Sequence, residues 1–275
     1  MATSASAYSP APTVGELRTI KTSDGVSLNV QIAGAANAPR TLVFVPGWTM
    51  PGSIFANQVG AFASASRVVV IDPRGQGSSE IAKTGYTLDR RTQDIADVLD
   101  ALALDNVVLV GWSLGVLESL HLSTTLAAWR IAAYVLVDNS VGEATPPKGD
   151  PNFFPNLRAK RTETVERFVK GMFKVNHDAG YISLLSQRAQ RMSVEDSIAL
   201  LSYPKPREYW RDALYAIPKP VAYLVTTRFF AQADALKVKR PSTFVSKFPN
   251  AGHALFVDDP QAFNRALEEF LKHLP

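Results

Sequence analysis

The chain alternates between short unbroken apolar runs and longer stretches in which apolar residues recur every three or four positions. Residues 41–45, 67–71, 106–110, 132–137 and 221–225 are β-branched apolar runs. Such runs read as strands buried on both faces, as in a parallel sheet covered by helices. Between them, residues 92–104 set Ile95, Val98, Leu99 and Leu102 on one helical face, and 114–122 reads as a helix as well. This alternation predicts an open α/β sheet with right-handed crossovers. Ahead of it, residues 19–32 alternate in character about Asp24-Gly25, a dipeptide suited to a tight hairpin, and predict two antiparallel strands. The beat stops over 141–217, where helical pieces such as 163–173 and 193–201 carry Phe, Tyr and Met without a buried-strand run. A strand, a helix (231–237), a shorter strand (243–247) and an amphipathic helix (260–274) then close the chain. The organisation expected is a flexible tail over 1–14, an α/β core over 15–140 and 218–275, and an inserted helical cap, or lid, over 141–217.

Composition narrows the chemistry. With 275 residues, 46% hydrophobic and 20% charged, the chain is globular and long enough for one large domain with an insertion. The absence of cysteine excludes disulfides, a thiolate nucleophile, iron–sulfur clusters and cysteine-based zinc sites. The net charge of +4 is a mild excess. The basic clusters at 158–161 and 237–240 lack interleaved aromatic residues, so they read as solvated faces and not as a nucleic-acid surface. The first twelve residues have neither a charged leader nor an apolar segment, which predicts a small-residue tail in place of a signal peptide. No apolar run approaches the ~18 residues of a membrane span. A soluble chain, cytoplasmic by default, is expected; a processed secreted form fits the same residues.

In open α/β sheets, ligands gather beyond the carboxyl ends of the strands. After the 106–110 run stands Gly111-Trp112-Ser113-Leu114-Gly115, a G-x-S-x-G passing from strand straight into helix. The sharp turn strains Ser113 and exposes its hydroxyl, and the two glycines let strand and helix approach without a Cβ clash. Ser113 is therefore a candidate nucleophile; the alternative is a serine that only caps the helix. Asp72-Pro-Arg-Gly-Gln-Gly77 imitates the start of a dinucleotide fingerprint. However, Glu80 stands where the third glycine belongs and Pro73 breaks the turn. With no H-E-x-x-H or clustered histidines, neither a metal nor a cofactor is expected.

Three further segments join the G-x-S-x-G in an ordered set. Phe44-Val-Pro-Gly-Trp48 follows the 41–45 run, Asp72-Pro-Arg-Gly-Gln-Gly-Ser78 reads as D-x-R-G-x-G-S, and Ala251-Gly-His-Ala-Leu-Phe-Val-Asp-Asp-Pro260 contains G-H-x-x-x-x-x-x-P. The set resembles the α/β-hydrolase superfamily, in its serine esterase and haloperoxidase-like branch with a helical cap, from about residue 15 to 274. The resemblance implies the α/β-hydrolase fold, a mostly parallel central sheet flanked by helices, and a cofactor-independent serine hydrolase cleaving small carboxylic esters. It makes Ser113 the nucleophile and gives Leu114 and Trp48 as the backbone N–H donors of an oxyanion hole. Pro46 replaces the family's usual histidine in that loop. Of His121, His177, His253 and His273, it points to His253 as the general base. Trp48 and Trp112 are expected to line the substrate pocket, although the Trp48 ring also reads as a packed aromatic at the sheet edge.

One departure matters. Most of the superfamily keeps its acid in a G-x-x-D-like loop after the seventh core strand, but residues 226–230 here are Thr-Thr-Arg-Phe-Phe. Asp234, the nearest carboxylate, falls in a stretch that reads as a solvated helix. Asp138 ends the preceding strand, where haloalkane dehalogenases and some lipases of the superfamily keep the acid, and is the expected partner of His253. Its alternative is a turn residue, because Asp138-Asn139-Ser140 is also good turn chemistry. The same triad supports perhydrolysis, carbon–carbon bond hydrolysis and acyl transfer, and the same fold serves as a small-ligand receptor without turnover.

Overall fold

Residues 14–145 and 147–275 are described by a computed structural model; the expected tail lies outside them apart from Val14. The opening hairpin pairs β1 (Glu16–Lys21) with β2 (Ser27–Ala33) in antiparallel register, Ile20 opposite Leu28. Gly25 takes φ +86° in its turn, a conformation that favours glycine.

The apolar runs become β3 (Thr41–Val45), β4 (Arg67–Ile71), β5 (Val107–Trp112), β6 (Ile131–Val137), β7 (Val221–Thr226) and β8 (Phe244–Phe248). Among the described residues the sheet has eight strands in the order β1-β2-β4-β3-β5-β6-β7-β8. β2 pairs antiparallel with β4, and every pairing from β4 to β8 is parallel. β5 and β7 are buried at every position, whereas the edge strand β1 is largely exposed. This is why the central strands lack the polar alternation of the hairpin.

Helices cover both faces. In chain order they are α1 (Ala56–Phe62), α2 (Leu88–Ala101), α3 (Leu114–Leu122), α4 (Phe153–Ala159), α5 (Arg161–Gly171), α6 (Ala179–Arg188), α7 (Val194–Leu200), α8 (Arg207–Ala216), α9 (Phe230–Lys239), α10 (Leu255–Asp258) and α11 (Pro260–Lys272). Successive strand residues point to opposite layers. Leu42, Phe44, Val108 and Val110 pack with Val59, Phe263 and Leu267. Val43, Val45 and Leu109 pack with Leu99, Val116, Leu120 and Leu236. Each such fully buried side chain contributes about 1.5–3 kcal/mol.

α2 starts a turn before the expected residue 92. Thr87 caps it, its hydroxyl accepting the Arg90 N–H, and the polar Asp89 and Arg90 of the first turn hide that start in the sequence. Within the connection from β6 to β7, α4 to α7 bury Leu157, Val165, Leu185, Ile198 and Leu200 in the first layer. α8 instead buries Trp210, Ala213 and Leu214 in the second, beside α3, so it packs as a core helix. No helix among the described residues is long and apolar enough to cross a membrane.

Candidate active site

The turn from β5 into α3 holds Ser113 at φ 54° and ψ −117°. A non-glycine residue in such a region costs of order 1–3 kcal/mol and persists only where its neighbours enforce it. Here the Ser113 N–H donates to Val137 O (2.9 Å), and its carbonyl accepts from Val116 N–H (2.9 Å) and from the Asn139 amide (2.7 Å). The motif's glycines are sterically required. A Cβ on Gly111 would lie 2.3 Å from Gly115 O, and one on Gly115 would lie 2.4 Å from Val45 O.

The loop between β8 and α10 brings His253 over this serine. His253 Nε2 is 2.9 Å from Ser113 Oγ, and His253 Nδ1 is 2.8 Å from Asp138 Oδ2. Asp138, at φ 49°, is fully buried, and its Oδ1 accepts two hydrogen bonds from Thr226, from N–H (2.7 Å) and from Oγ1 (2.8 Å). Burial first and the Asp138 charge second push the Tyr223 phenol well above its ordinary range, so it remains a donor, bonded to Asn139 O at 2.7 Å. The histidine loop is itself anchored. Gly252 N–H donates to Asp258 Oδ2 (2.7 Å) and Ala254 N–H to Met172 O (3.0 Å).

The remaining sequence candidates lie elsewhere. His121 sits between Asp89 and Tyr209, His177 contacts Asp258, and His273 lines a separate cavity with Pro218 and Phe270. Asp234 is an exposed residue of α9, ion-paired with Lys247 at 2.5 Å. Trp112 is 1% exposed, and its indole donates to His253 O at 2.9 Å. The ring packs on the His253 imidazole and on Phe256, so its contacts are with the histidine loop and not with open pocket space. Trp48 is also buried, its indole donating to Ser197 O, and it meets Phe153 and Phe168 edge-on. Those two rings, with Met172, wall a cavity of about 240 Å³ that reaches His253.

The loop after β3 presses against the serine: a Cβ on Gly47 would lie 2.8 Å from Ser113 Cβ. Leu114 is the first residue of α3, so its N–H has no acceptor in a preceding turn. Among the described residues, the Trp48 N–H likewise has no protein acceptor. What holds this loop is Gln76, whose amide donates to Gly47 O (2.9 Å) and Met50 O (2.7 Å). Gln76 Oε1 accepts from Arg91 (2.9 Å), which is ion-paired with Glu118. Tyr203, from the turn between α7 and α8, completes the chain by donating to Glu118. Burial, then the Glu118 charge, pushes its phenol well above the ordinary value. The D-x-R-G-x-G turn is what positions Gln76. Asp72 accepts from Gly52 N–H, Ser78 N–H and Asn29, and Arg74 pairs with the buried Asp94 at 2.6 Å. Gln76, Asn139 and Thr226 stand in segments that the sequence singled out, but nothing in those segments gave these three side chains a role. Among the described residues, no group of three or more His, Cys, Asp or Glu side chains is placed to hold a metal ion.

The chain can be compared with known proteins on this basis. It is 24% identical to the AB hydrolase superfamily protein YisY of Bacillus subtilis over 269 residues, covering 91% of this chain and 97% of that protein. It is 28% identical to a pimeloyl-[acyl-carrier protein] methyl ester esterase of Aeromonas hydrophila over 261 residues, covering 84% and 94%. Among solved structures, an esterase from Exiguobacterium antarcticum superposes with a TM-score of 0.81 at 20% identity, covering 92% of this chain and 98% of that one. The pattern described as the Alpha/beta hydrolase family matches residues 42–266, from β3 to α11. With that match over most of its length, and with this sheet order, the chain belongs to the α/β-hydrolase family.

Proposed function

We propose that the protein hydrolyses carboxylic esters through an acyl-enzyme formed on Ser113. The observation that carries this reading is the unbroken line from Ser113 Oγ to His253 Nε2 (2.9 Å) and from His253 Nδ1 to Asp138 Oδ2 (2.8 Å). A serine hydroxyl is a weak nucleophile on its own and needs a base within hydrogen-bond reach. His253 Nε2 takes its proton as Oγ attacks the ester carbonyl carbon. Negative charge then develops on the carbonyl oxygen, where the N–H groups of Leu114 and Trp48 stabilise it; each such donor contributes about 10²–10³ in kcat. Asp138 keeps the Nδ1 proton in place, which leaves Nε2 free to accept, and it stabilises the imidazolium.

Collapse of the intermediate breaks the bond to the alcohol oxygen, which receives the proton from His253 and departs. Water then gives a proton to His253 and attacks the acyl-serine, and the carboxylic acid leaves as Ser113 is reprotonated. The neighbours of the fold that carry esterase names support this substrate class.

A panel of p-nitrophenyl esters from acetate to palmitate tests the reading. The expected result is multiple turnover on at least the short esters, with a rapid burst of p-nitrophenolate approaching one equivalent per chain wherever deacylation is the slower step. No turnover on any member would overturn it.

A further inference from the structure

The cavity of about 240 Å³ beside His253 has an unusual wall. Phe153, Phe168 and Met172 make it apolar, yet Arg167 of α5 and Arg228, in the turn after β7, also line it. Neither guanidinium has an ion-pair partner among the described residues; Arg228 lies over the Phe229 ring, 5.8 Å from its centroid. The carboxylate in the same lining, Asp150, already accepts the Asn152 N–H at 2.8 Å. Two cations against one occupied anion leave the space net positive. Arg167 and Arg228 come from separate segments and meet in the lining of the same space as His253. A space of this size suits a short chain and not a long one.

A planar guanidinium binds a carboxylate through two parallel N–H bonds, each roughly twice as strong as a bond between neutral groups, and the apolar wall beside it shields the pair from water. We propose that the substrate is a short ester or lactone that itself carries a free carboxylate, received by Arg167 and Arg228 while its apolar carbons lie against Phe153, Phe168 and Met172. The proposal rests on the ester-hydrolase reading and adds the substrate class to it. Arg228 stands in the turn where most of the superfamily carries an acid, so a position released from that duty here supplies binding charge.

The test compares matched pairs. On the acyl side, monomethyl succinate, glutarate and adipate are set against methyl butanoate, pentanoate and hexanoate; on the alcohol side, acetoxyacetate is set against ethyl acetate. The expected result is a kcat/KM ratio of charged to neutral ester of about tenfold or more in at least one series. Arg167→Met and Arg228→Met should each cut that ratio about tenfold, whereas Arg265→Met, an exposed charge on α11, should leave it unchanged. Equal ratios in all four proteins, or a preference for the neutral esters throughout, would overturn the proposal.

Calorimetric titration of Ser113→Ala with monomethyl glutarate separates this idea from the hydrolase reading. Binding that is lost in Ser113→Ala/Arg167→Met, without turnover by the wild type, would support the carboxylate subsite while sinking ester hydrolysis. Turnover of neutral esters without any such binding would do the reverse.

Discussion

Thr226 donates both its N–H and its hydroxyl to one oxygen of Asp138, Oδ1, at 2.7 and 2.8 Å, while the other oxygen faces His253 Nδ1 at 2.8 Å. The end of β7, where the resemblance to the family leads one to look for an acid, thus holds a residue that grips the carboxylate at the end of the neighbouring β6. In the proposed mechanism Asp138→Asn keeps the shape but reverses the hydrogen-bonding preference toward Nδ1. The expected loss is about 10³- to 10⁴-fold in kcat. Asp234→Asn, on an exposed face, should leave kcat within about twofold of the wild type. Steady-state kinetics on one p-nitrophenyl ester reads both, and the opposite pattern would move the acid to α9.

Thr226→Val tests the grip itself. It removes one of three hydrogen bonds to a buried carboxylate, and a bond to a charged group contributes about 1.5–3 kcal/mol. The expected outcome is a fall of about tenfold in kcat with little change in KM, recovered in Thr226→Ser. A change in thermal stability without that kcat loss would assign Thr226 a purely structural role.

Gln76 makes a similar case for the loop after β3, which the proposed mechanism uses as an oxyanion donor. Its amide donates to Gly47 O and Met50 O on either side of Trp48; Gly47 O also accepts the Met50 N–H at 3.2 Å, so Gln76→Leu leaves the buried Met50 carbonyl without a donor. The expected cost is about 1–3 kcal/mol in stability, and, because the Trp48 N–H loses its fixed direction, about tenfold or more in kcat. Chemical denaturation and kinetics on the same preparation check the two parts.

The strands were legible because central positions of a parallel sheet are apolar on both faces, and the elbow was legible because its G-x-S-x-G spacing follows such a run directly, although it is the distant Val45 O of β3 that excludes a Cβ at Gly115. The partnerships around them were not. Thr226 reaches Asp138 across 88 positions of sequence and Gln76 reaches Gly47 across 29, and no local pattern records such contacts. Trp112 illustrates the converse: its place next to Ser113 suggested a pocket wall, but a strand residue one step before the elbow points to the opposite side, and its ring went beneath His253. The helix that buries Trp210, Ala213 and Leu214 was not singled out within 141–217, and nothing in its residues told a core-packed helix from the others there.

Acid stability should depend on Asp97. Burial alone would raise its pKa. Hydrogen bonds from Gln93 and Ser23, together with Arg90, outweigh that and hold it below the ordinary aspartate value of 3.8. A carboxylate with a depressed folded-state pKa binds fewer protons folded than unfolded, so its stabilising contribution is complete above that ordinary value and is lost as pH falls through the folded one. Asp97→Asn should lower stability by about 1–2 kcal/mol at neutral pH and flatten the decline below pH 4. Melting temperature measured against pH for the two proteins shows whether it does.

The proposed acyl-enzyme requires Ser113 Oγ to be the nucleophile, and covalent labelling reads that out. A fluorophosphonate, followed by peptide mass spectrometry, should modify the wild type at Ser113 alone and to near one equivalent. Ser113→Ala, with an unchanged circular dichroism spectrum, should take up none. Modification of another serine, or a folded wild type left unmodified, would rule out Ser113 as that nucleophile.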